Sequence, residues 1–94
     1  MKKNLDEVFD IYQSFLDFAN RDFKYNVDFY ETVKSDDNGK ESTLLRFNNG
    51  FNVELTNQRN VENSAILCCW WHAKEKVVEV DTLEQLVEKF LNRD

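Results

Sequence analysis

Ala65-Ile66-Leu67-Cys68-Cys69-Trp70-Trp71-His72-Ala73 is a run, within a 94-residue chain, that is apolar on both alternating faces. A strand written this way lies inside a sheet with both faces shielded, whereas a strand at a wet surface alternates apolar and polar. The flanking segments are one-sided and need such a strand to pack against. Leu67, Cys69, Trp71 and Ala73 are uniformly apolar and are assigned to the core side. Ile66, Cys68, Trp70 and His72 include the histidine and are assigned to the outer side.

Downstream, Lys74-Glu75-Lys76 reads as a turn and Val77 to Val80 as a short strand. Leu83, Leu86, Val87, Phe90 and Leu91 then make the apolar stripe of a helix. Asp81 or Thr82 is its cap, and Glu84 or Gln85 completes a capping box.

Upstream, residues 57–64 are polar and read as a loop. Before it, Thr43, Leu45 and Phe47 mark the inward side of one strand, and Phe51, Val53 and Leu55 that of the next. A two-residue Asn49-Gly50 turn would set Phe47 against Asn52, mixing apolar and polar side chains on one face. A three-residue Asn48-Asn49-Gly50 turn sets Phe47 against Phe51 and Leu45 against Val53, and Gly50 supplies the positive φ it needs.

Residues 23–34 alternate as well. Phe23, Tyr25, Val27, Phe29 and Val33 are expected on the inner face, and Lys24, Asn26, Asp28, Tyr30, Thr32 and Lys34 on the outer one. Ser35-Asp36-Asp37-Asn38-Gly39 is a polar turn. The chain opens with a helix from Asn4 to about Asn20. Leu5, Val8, Phe9, Tyr12, Phe15, Leu16 and Ala19 form its stripe, Asn4 its N-cap, and Glu7 the position of a capping box.

The expected fold is α+β: an antiparallel meander of four to five strands, with an N-terminal and a C-terminal helix packed on one face. Residues 1–94 make a single domain with one core.

Composition narrows the function. The net charge of −6 argues against direct binding to nucleic acid or to an anionic membrane and favours a protein partner with a basic surface. No apolar run reaches the roughly 20 residues of a membrane span, and no signal-peptide core is evident, so a cytoplasmic location is expected. Cys68 and Cys69 point to opposite faces of one strand, which suits free thiols in a reducing compartment. A single histidine, two glycines and no C-x-x-C spacing leave no nucleophile motif, phosphate loop or metal site. Neither enzymatic activity, nor a cofactor, nor a bound metal is expected.

Two surfaces are candidates for partner binding. On the polar side of the first helix Asp6, Asp10 and Asp17 align over about 16.5 Å. Duplex DNA presents roughly ten charges over that length, so a phosphate mimic would have to pool these acids with Asp36, Asp37 or Glu41. The second candidate is an aromatic patch on the outer sheet face, formed by Trp70, His72, Tyr30 and Leu44. A small, acidic, aromatic-rich and motif-free chain fits an occluding inhibitor of a nucleic-acid-handling host enzyme, as in anti-defence or anti-CRISPR-like proteins of phages and mobile elements. An immunity protein that neutralises a cognate toxin fits the same size and charge. A homodimeric structural or regulatory subunit joined through its sheet is the alternative of another class.

Overall fold

The computed structural model of the chain describes residues 3–23, 25–35, 40–58, 64–73 and 76–92. A two-residue strand, β1 (Lys3–Asn4), runs directly into helix α1 (Leu5–Phe18). Asn4 is extended there, and its Oδ1 accepts from the Asp6 N–H at 2.8 Å, so one orphan donor of the first turn is satisfied. Of the predicted stripe, Val8, Tyr12, Phe15 and, a turn further, Ala19 are buried, Leu5 and Leu16 are half-buried, and Phe9 is exposed. α1 widens at its end into a π-helical turn, Ala19–Phe23.

The meander follows as β2 (Val27–Ser35), β3 (Lys40–Phe47), β4 (Phe51–Gln58), β5 (Ser64–Trp71) and β6 (Val78–Glu79). Each pairs antiparallel with the next. Helix α2 (Leu83–Leu91) closes the chain. β5 has β4 on one edge and both β1 and β6 on the other, so the doubly apolar run is an interior strand. Its Ala65, Leu67 and Cys69 are buried under the helices, while Ile66, Cys68 and Trp70 are half-buried on the outer face. Both helices lie on one side of the sheet, packed over β4 and β5. This is the α+β arrangement expected from sequence.

The β3–β4 hairpin takes the three-residue turn. Leu45 stands opposite Val53 and Arg46 opposite Asn52. The Gly50 N–H donates to the Phe47 carbonyl at 2.9 Å, and Gly50 has φ +92°. At α2, Thr82 is the cap and Gln85 completes the box.

The faces of β2 differ from expectation. Val27 stands opposite Phe47, but the next pair is Phe29 with Arg46, so a β-bulge at Asp28 inserts one residue. A one-residue insertion sends every later side chain to the other face. Tyr30, opposite Leu45, and Thr32, opposite Thr43, therefore lie on the helix side; Phe29, Glu31 and Val33 lie outside. The physical cause is Arg46, which holds both bulge residues. Its Nε donates to Asp28 Oδ1 at 3.2 Å, and its guanidinium lies over the Phe29 ring at 5.3 Å.

The core sits between the helices and β3 to β5 and is largely aromatic. Phe15 and Phe51 are fully buried, and Phe90 makes edge-on contacts with Phe15, Phe47 and Phe51. The Trp71 indole fastens the end of α2, donating to the carbonyls of Lys89 at 3.2 Å and Asn92 at 2.9 Å.

Candidate functional site

The bulge decides which surface is available. Packed helices sit 8–10 Å apart and strands about 4.8 Å apart, so two helices centred on β4 and β5 leave the inner face at β2 and the start of β3 uncovered. A groove of about 680 Å³ opens there between α1 and the sheet. Leu5, Phe9, Tyr12 and Leu16 of α1 form one wall; Val27, Tyr30, Thr43 and Leu45 form the floor. Its apolar lining is not hidden: Phe9 is 47% exposed, Val27 41% and Tyr30 64%.

The charged side chains that line the groove are acidic. Asp6 and Glu41 line it, with Gln13, Asn20 and Asn57, Glu41 being paired with Lys34 at 3.4 Å, and among the described residues no lysine or arginine does. Asp10 and Asp17 are exposed and follow Asp6 along the outward flank of α1. Tyr12, on the α1 wall, is a buried member of the lining. Burial pushes its hydroxyl up to about 12, and the nearby Tyr30 hydroxyl adds to the shift. At the far end Asn57 Oδ1 is buried without a hydrogen-bond partner among the described residues.

The sequence-predicted residues divide between surfaces. Tyr30, assigned to the outer patch, belongs to the groove. Asp6 lines the groove, with Asp10 and Asp17 beside it, so the acidic row and the aromatic tyrosine are neighbours instead of alternatives. Trp70 and Leu44 remain on the outer face, both half-buried, with β4 between them: Leu44 faces Glu54 and Trp70 faces Asn52. His72 is exposed in the turn after β5, its N–H donating to the Gly50 carbonyl at 2.9 Å. The four-residue patch therefore does not assemble. Asp36 and Asp37 lie outside the described residues, as do residues 59–63 of the expected 57–64 loop, whose first two residues and last residue belong to β4 and β5.

Phe9, Leu16 and Val27 were read only as core and are groove residues. For Phe9 and Leu16 the signal was present in the width of the α1 stripe, which spans more of the helix than one sheet contact needs.

Cys68 and Cys69 are free, and burial raises both thiols; Cys69 is pushed up to about 12. Neither has the depressed value of a nucleophile. Among the described residues no group of three His, Cys, Asp or Glu is placed to hold a metal ion, and no helix is long and apolar enough to cross a membrane. No family model, curated protein or solved structure matches the chain.

Proposed function

We propose that the chain is a non-enzymatic binding protein that occludes a partner with a basic surface, and that this partner is a nucleic-acid-handling host enzyme. The observation that carries the reading is the groove: an exposed apolar floor flanked by Asp6, Asp10 and Asp17 and, among the described residues, lined by no lysine or arginine. Apolar anchors with a charged rim are the anatomy of protein recognition sites. A surface that handles nucleic acid is rich in lysine and arginine, the complement of this rim. Occlusion needs no chemistry from the inhibitor, which suits raised thiols and a single exposed histidine. The two free thiols support action in the reducing cytoplasm.

Two variants test the site. Phe9→Asp/Tyr30→Asp places charge on the groove floor, and both residues are exposed enough to leave the core intact. Trp70→Ala probes the outer face. In affinity capture from host lysate, followed by assay of the captured enzyme, the groove variant is expected to lose both partner and inhibition while Trp70→Ala retains them. Retention of the partner by a folded groove variant would overturn the assignment.

A further inference from the structure

Among the described residues seven large hydrophobics stand exposed, and four of them, Val27, Phe29, Tyr30 and Val33, lie on β2. β2 pairs with β3 on one edge, and no described strand pairs with the other. A nine-residue edge strand with apolar side chains on both faces is a template for another strand.

Charge selects what pairs with it. The acid excess of the chain lies away from these strands. β2 and β3 carry Asp28, Glu31 and Glu41 against Lys34, Lys40 and Arg46. Two ion pairs join four of these six groups locally, Arg46 with Asp28 at 3.2 Å and Lys34 with Glu41 at 3.4 Å. Two copies of net charge −6 can meet here without opposing their α1 acids.

We infer that β2 pairs antiparallel with β2 of a second copy, about a two-fold axis at Glu31. In that register Phe29 stands opposite Val33 of the second copy on the outer face, and Tyr30 opposite its Thr32 on the inner face, each pair occurring twice by symmetry. An axis at Thr32 would set Glu31 against Val33 and Phe29 against Ser35, mixing apolar and polar partners. The one unfavourable contact is Glu31 with itself. The bulge lies at Asp28, outside the five paired residues 29–33. The two sheets become one, with both grooves open on the same side; Tyr30 borders both the groove and the pairing, so the pairing is tested at Glu31 and Val33, on the face away from the groove.

Sedimentation analysis tests it, with circular dichroism as the check on folding. The wild type is expected at twice the 11.2 kDa chain mass. Val33→Lys, at an exposed position, is expected to weaken the dimer about tenfold or more, since edge lysines block strand pairing. Glu31→Gln removes the like-charge contact and is expected to tighten it. Glu31→Cys in a Cys68→Ser background is expected to form an intermolecular disulfide on oxidation. A wild-type monomer at millimolar concentration, a dimer indifferent to folded Val33→Lys, or a Glu31→Cys chain that does not cross-link would each overturn the inference.

Discussion

Phe90 touches the rings of Phe15, Tyr25, Phe47 and Phe51 at centroid distances between 5.1 and 5.7 Å, and so joins both helices to the facing ends of β3 and β4 and to the segment before β2. Truncating a ring so enclosed leaves a cavity as well as losing the buried area. Phe90→Ala is expected to cost about 3–5 kcal/mol in urea unfolding, much of the stability of a domain this size. A loss near zero would mean that α2 packs elsewhere. Tyr12 and Cys69 give a pH signature. Their ordinary values are 10.0 and 9.0, and both are pushed up to about 12 in the folded chain. The unfolded chain therefore releases these protons first as pH rises. Their contribution to stability is complete at neutral pH and is lost between about 9 and 12. Urea midpoints are expected to fall over that range, and Cys69→Ala to shallow the fall; level midpoints would contradict the assigned burial.

Among the elements, those with a single clear period were legible. The α1 and α2 stripes, the interior position of β5 and the Asn48–Gly50 turn follow from apolar spacing and from one residue able to adopt positive φ. β2 was not legible. Aromatic residues occur at both Phe29 and Tyr30, so the period-2 pattern fits either face, and the deciding contact comes from Arg46 on another strand. The energies involved are unequal. The Arg46–Asp28 pair is about half exposed on the acid side. Arg46→Ala is expected to cost about 1 kcal/mol or less, because exposed pairs and cation–π contacts are weak. Trp71→Phe keeps the ring but removes a donor shared by two carbonyls at the end of α2. It is expected to cost about 1–2 kcal/mol and to speed amide exchange in residues 89–92 before the rest of the helix. Uniform exchange would show that the indole bond does not hold the terminus.

For the whole molecule, composition gave the acidic charge, and sequence spacing found the acids on α1. It could not show that they border an apolar groove, because the groove exists only where the helices stop short of β2. Under the proposed function, that proximity makes partner association depend on both parts. Asp6→Asn/Asp10→Asn/Asp17→Asn is expected to slow association at low salt and to matter less as salt rises, since exposed charges are screened beyond roughly 8 Å at physiological ionic strength. Loss of Tyr30 acts mainly on dissociation. Both expectations rest on Tyr30 facing α1, and nuclear Overhauser contacts from the Tyr30 ring report this without any partner. The bulge predicts contacts from Tyr30 to Leu45 and Tyr12, and from Phe29 to Arg46. Contacts from Tyr30 to Leu44, with Phe29 against Leu45, would put β2 in unbroken register and close the groove as a site.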